Sequence, residues 1–114
     1  GKVSKEVIIQ AEKELNLEIP DQLKAFYSNY GCLTYQSHEI YGLGTDGYLN
    51  VVKGTQKERE ISNLPNQYIL INNIGVDGLL IVSNVSGEIF EWMANGYTKK
   101  IHENFSDYLL EILK

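Results

Sequence analysis

Cys32, His38 and Glu39 form the one grouping in this sequence that sets a nucleophile beside a base. A cysteine–histidine site also needs a third group to orient the imidazole and donors to hold an oxyanion. Spacing alone supplies neither, and a lone cysteine ordinarily packs as a small hydrophobe. No catalytic residue is therefore assigned. His38 and His102 could meet across a sheet as metal ligands. With one cysteine and no H-x-x-H or H-E-x-x-H spacing, they read instead as ordinary strand-end histidines, and no metal is expected. Gly42-Leu43-Gly44-Thr45-Asp46-Gly47 matches G-x-G-x-x-G, but no βαβ unit encloses it and Asp46 would repel a phosphate. Its glycines read as turn residues, and no cofactor is expected.

Carboxylates recur at Asp46, Asp77, Glu88 and Glu91, in or beside glycine-rich turns. A pair of them could serve acid–base chemistry. The reading that fits their scatter better is an acidic rim on a recognition surface, with Tyr41, Tyr48 and Tyr97 as anchors, because aromatic side chains bury much area at little entropic cost. These seven residues are the candidate partner-binding set. Of the eight tyrosines, Tyr27 and Tyr30 are better placed in the core, on the apolar face of a helix.

The elements that must position these residues centre on Gln67 to Trp92. Tyr68-Ile69-Leu70-Ile71, Leu79-Leu80-Ile81-Val82 and Glu88-Ile89-Phe90-Glu91-Trp92 are β-branched or aromatic runs bounded by Gly, Asn and Asp, which predicts three strands of a meander. Ile69 and Ile71 point to one face and Tyr68 and Leu70 to the other. The first two strands are thus apolar on both faces and need cover twice. Phe90 and Trp92 are expected to face the helices.

Ser4 caps a predicted helix from Lys5 to Leu15 with a core face of Ile8, Ala11 and Leu15. Pro20 fits the first position of a second helix, whose Leu23, Phe26, Tyr27 and Tyr30 recur at helical spacing before Gly31 stops it. Cys32 to Ser37 has no clear pattern, and His38 to Leu43 alternates as a strand. Asn50 to Ile61 predicts a helix despite Gly54, and Pro65 ends it. Ala94-Asn95-Gly96 predicts a hairpin turn into a strand from Tyr97 to His102. Asn104 caps a last helix lined by Phe105, Leu109 and Ile112. Successive strands lie too close for crossover helices and must pair antiparallel. The fold class is α+β: residues 1–114 as one domain, with an antiparallel sheet of four to six strands packed with two N-terminal helices, a middle helix and a C-terminal helix.

The 114 residues carry a net charge of −5 with a pI near 4.9. That charge disfavours nucleic acid and anionic membranes and favours a basic partner. No apolar run reaches the roughly 18 residues needed to span a membrane. A single cysteine and no leader pattern point to a reducing cytoplasm.

The order of motifs resembles the SUKH superfamily, which groups fungal Smi/Knr cell-wall assembly regulators with bacterial toxin-immunity proteins. The resemblance runs through Ile8, Ala11-Glu12 and Leu15, then Leu17-Glu18-Ile19-Pro20, Phe26 to Tyr30-Gly31, and Glu39-Ile40-Tyr41-Gly42. It continues through Leu64-Pro65, Ile69 to Ile71, Gly75-Val76-Asp77-Gly78, Gly87-Glu88-Ile89 with Trp92, and Asn104-Phe105. Tyr30-Gly31 departs from the Asn-Gly that members often carry, and the Cys32 to Ser37 connection is short. The resemblance implies a domain without enzymatic activity that binds another protein, most often as the cytoplasmic antidote to a bacterial toxin. Taken with the acidic charge, it leads to the expectation of a basic, nuclease-type toxin, with an intracellular regulator as the alternative; the oligomeric state stays open between a monomer and a weak dimer.

Overall fold

The computed structural model describes residues 3–44, 47 and 49–114. Helix α1 spans Lys5–Leu15, with Ser4 Oγ accepting from Val7 N at 3.4 Å and Asn16 closing it in the left-handed region at φ 55°. Helix α2 spans Asp21–Tyr30. Pro20 is its N-cap and not its first helical residue, since ψ of 148° is extended. The link between the two helices is braced by Glu12, whose Oε2 accepts from Ile19 N at 2.8 Å and lies 3.5 Å from Lys24 Nζ.

Strand β1, Leu33–Tyr35, falls in the segment without sequence pattern and pairs with β2, His38–Ile40. Helix α3 spans Val51–Ile61, capped by Asn50 Oδ1 accepting from Lys53 N. The meander continues through β3, Ile69–Asn73, β4, Leu80–Ser83, β5, Ile89–Trp92, and β6, Thr98–His102. Helix α4, Phe105–Ile112, closes the chain. Among the described residues, the six strands form one antiparallel sheet in sequence order.

The sheet is apolar on both faces, and each face has its own core. Ile69, Ile71, Ile81 and Ile89 pack with Ile8, Ala11 and Leu15 of α1, Phe26 and Tyr27 of α2 and Phe105, Tyr108 and Ile112 of α4. On the other face Leu70, Leu80, Val82 and Trp92 pack with Leu64, flanked by Tyr41, Tyr68 and Phe90. Trp92 and Phe90 thus share a face, as their spacing requires, but it is the face opposite α1, α2 and α4. Tyr30 also departs from expectation, being 63% exposed, because α2 buries only Leu23, Phe26 and Tyr27. In α4 it is Tyr108 that is buried, while Leu109 is partly exposed.

Two β-bulges decide how the faces are used. The β3–β4 register slips between Leu70 and Asn72, and the β5–β6 register slips opposite Ile89 and Phe90. An extra residue reverses the in–out alternation beyond it. Ile71 and Asn72 therefore both face the helical layer, as do Ile101 and His102. Asn72 Nδ2 then donates to Tyr108 Oη at 3.1 Å, and the His102 ring meets Tyr108 edge-on at 6.0 Å. The bulges aim two polar residues at one tyrosine of α4.

Strand β2 contacts β3 at a single register position, Ile40 opposite Asn72. Below it, α3 takes over the edge: buried Thr55 Oγ1 accepts from Leu70 N at 3.0 Å, a donor that a longer β2 would have satisfied.

Candidate partner-binding surface

In an up-and-down meander alternate turns share an end of the sheet. The β3–β4 turn and the β5–β6 turn emerge together, and the β4–β5 turn emerges opposite them. Asp77 lies in the first of these turns at φ 54°, a conformation that Asp and Asn tolerate better than most residues. Tyr97 lies in the second, 39% exposed, and its hydroxyl donates to Glu91 Oε1 at 2.9 Å. That bond to Glu91, more than burial, raises the Tyr97 phenol above its ordinary range. Asp77, Glu91 and Tyr97 are thus brought to one end.

Glu88 is not. It sits at the opposite end, where its Oε2 lies 2.7 Å from Lys100 Nζ and its Oε1 accepts from Asn84 Nδ2 at 2.8 Å. Lys100, foremost, and Asn84 hold the Glu88 carboxyl below its ordinary range. Lys100 also meets Glu103 at 2.7 Å. Asp46 and Tyr48 lie outside the described residues. Tyr41 is half-buried near the end of β2, its ring against α3, with its phenol raised first by burial and then by Glu58 and Glu39.

Sequence reasoning missed the apolar members of the shared end. Val76 is 65% exposed and Ile74 is 37% exposed, on the same turn as Asp77. The signal was present in Gly75-Val76-Asp77-Gly78: an aliphatic residue at a turn tip has no core to reach. Also missed was the close approach of α3 to Tyr41. A Cβ on Gly54 would stand 2.6 Å from Tyr41 Cε2, so this helix carries glycine where the ring lies against its backbone.

Cys32 is half-buried and forms no disulfide. His38 Nδ1 lies 3.4 Å from Asn72 Nδ2, and His102 Nε2 lies 3.2 Å from Glu111 Oε1, so each histidine has its own partner. Among the described residues no group of three or more His, Cys, Asp or Glu could hold a metal. Gly42 owes its identity to packing: an added Cβ would lie 1.3 Å from the Gly31 carbonyl oxygen. Among the described residues no helix is long and apolar enough to cross a membrane.

No curated protein matches the chain. The SUKH_5 family model, described as SMI1-KNR4 cell-wall, matches residues 1–114. A match over that whole span, on an α+β domain with four helices and six strands among the described residues and the motif order set out above, shows that the chain belongs to the SMI1-KNR4 family of the SUKH superfamily.

Proposed function

We propose that this chain is a non-enzymatic protein-binding domain that acts as an immunity protein, neutralising a cognate basic, nuclease-type bacterial toxin by direct contact in the cytoplasm. The observation that carries the reading is the shared end of the sheet, where exposed Val76, Ile74 and Tyr97 stand beside the carboxylates of Asp77 and Glu91. Apolar anchors with charge around them are how specific interfaces are built. The net charge of −5 would steer a cationic partner toward them. Tyr97 is held in place by Glu91 before any partner arrives, which lowers the ordering cost of binding.

The family description also names the cell wall, which favours a second reading as an intracellular regulator of the Smi/Knr kind. A toxin gene beside this one favours immunity, and a solitary gene favours regulation. The direct test is binding kinetics against the neighbouring toxin domain, together with protection of cells that produce it. Asp77→Asn keeps the left-handed backbone and removes the charge, so it should slow association and weaken its salt dependence. Tyr97→Ala and Val76→Ala should speed dissociation about tenfold or more, as loss of interface anchors does. Unaltered rates in all three variants, with protection intact, would move the recognition surface elsewhere.

A further inference from the structure

A hollow of about 280 Å³ opens between Tyr41 at the end of β2, Asn73 at the end of β3 and the outer face of α3, where Lys53, Lys57 and Glu58 line it. It falls just short of the roughly 300–1,000 Å³ that small-molecule sites occupy, so it suits one side chain better than a whole ligand. Its unusual member is Glu58. The residue as a whole is only 8% exposed, and Ser62 Oγ donates to its Oε1 at 2.7 Å. Among the described residues, no lysine, arginine or histidine forms an ion pair with it. Charges on largely buried residues are normally paired, so a carboxylate held by one hydroxyl, lining a hollow and in ion-pair contact with no cation, is an incomplete arrangement.

The Tyr41 ring lies at the same place. Gly54 lets the ring rest on α3, and the phenol, neutral already at its ordinary value, is raised further by burial. A neutral aromatic ring beside a carboxylate is a seat for an organic cation. Lys53 and Lys57 are exposed, so their charges act through water and are screened, whereas Glu58 acts where the effective dielectric is lower. The carboxylate therefore decides the sign of the guest.

We propose that this hollow receives one basic side chain, an arginine or lysine, of the protein that the domain binds, with its charge on Glu58 and its stem against the Tyr41 ring. The inference rests on the protein-binding reading and adds a second anchor point to it, on the α3 side of Asn73, the last residue of β3 before the turn that carries Val76.

The test needs no toxin. The whole protein is titrated with N-acetyl-arginine amide and, separately, with N-acetyl-glutamate amide, and backbone amide shifts are followed by NMR. The arginine probe should move the amides of Gly54, Glu58 and Asn73 saturably, and the glutamate probe should not. Glu58→Gln should weaken the arginine probe about tenfold. Lys53→Ala with Lys57→Ala, which removes the competing cations, should tighten it about threefold. Should Glu58→Gln fail to fold, the lysine pair still decides the sign, because both side chains are exposed. A stronger response to glutamate, weaker arginine binding after loss of the lysines, or no saturable arginine shift up to about 100 mM would overturn the proposal. If the arginine probe fails while the toxin is still neutralised, only this inference falls. If the probe binds while no toxin does, the immunity reading falls and the hollow stands.

Discussion

Gly42→Ala is the sharpest test of why the glycines between β2 and α3 are there. The Gly42 backbone is held on both sides: its N–H donates to Leu49 O at 2.8 Å, its carbonyl accepts from Val51 N at 2.8 Å, and the next residue, Leu43, donates to Gly31 O at 3.1 Å. A methyl group at Gly42 would sit 1.3 Å from that same Gly31 oxygen and 2.8 Å from Cys32 Cα, where ordinary contact begins at 3.4 Å. The obstacle is backbone, so no rotamer change relieves it, and the segments must part by about 2 Å, which breaks the Leu43–Gly31 bond that spans the gap and strains the two that tie Gly42 to Leu49 and Val51. At about 1 kcal/mol of net stability per bond, the bonds alone account for about 1–3 kcal/mol, and the forced separation of packed backbone adds to that. A chain of this size has about 6–17 kcal/mol in total. Urea unfolding should therefore show a midpoint well below that of the parent with an unchanged slope. Gly78→Ala is the control, with φ of +75° but nothing within 4 Å of the added methyl group, and should cost only about 1 kcal/mol. If Gly42→Ala is no worse than Gly78→Ala, the close-approach argument is wrong, and a glycine-loop role in ligand contact regains its standing.

Thr55→Val keeps the volume of a fully buried side chain but strips Leu70 N of its acceptor, and should cost about 1–3 kcal/mol in a denaturant titration, whereas Thr55→Ser, which keeps the hydroxyl, should recover much of the loss. Glu88 titrates below its ordinary value of 4.5 in the fold, so its contribution is complete above that value and is lost as pH falls through the lower, folded value. The stability difference between the parent and Glu88→Gln should then be flat near neutrality and shrink below about pH 4; a difference that grows on acidification would contradict the Lys100 pairing.

What was legible in the sequence was whatever local chemistry writes into it. The caps Ser4, Asn50 and Asn104 accept from backbone N–H groups at α1, α3 and α4, and α1 occupies the residues its cap and spacing predicted. The opposition of Ile69 and Ile71 to Leu70 followed from the two-residue period alone and holds, one set in each core. Strand β1 was illegible because Leu-Thr-Tyr is short and half-exposed, and its pairing with β2 comes from a tight turn through Gln36 at φ 54°. Of the candidate surface, the turns were legible as turns, and the sharing of one end by Asp77 and Tyr97 needed the strand order. That Glu88 stands apart, paired with Lys100, needed the register.

The bulges explain why the face of a residue is harder to read than its element. Period-two counting from Leu70 puts Asn72 on the Trp92 side of the sheet, and counting on from Lys100 puts His102 there as well. The structure places both on the α4 side, because Ile71 and Ile101 each add a residue that the partner strand does not match. A bulge leaves no composition signal when the extra residue is an isoleucine that packs well in either register. Its signal is indirect. Asn72 is 2% exposed, and a buried amide in a strand costs stability unless something satisfies it. Tyr108 Oη does so, and that hydroxyl lies within reach only on the helical face. Polar residues inside apolar runs are therefore the positions at which to question the alternation, and here they mark where α4 docks.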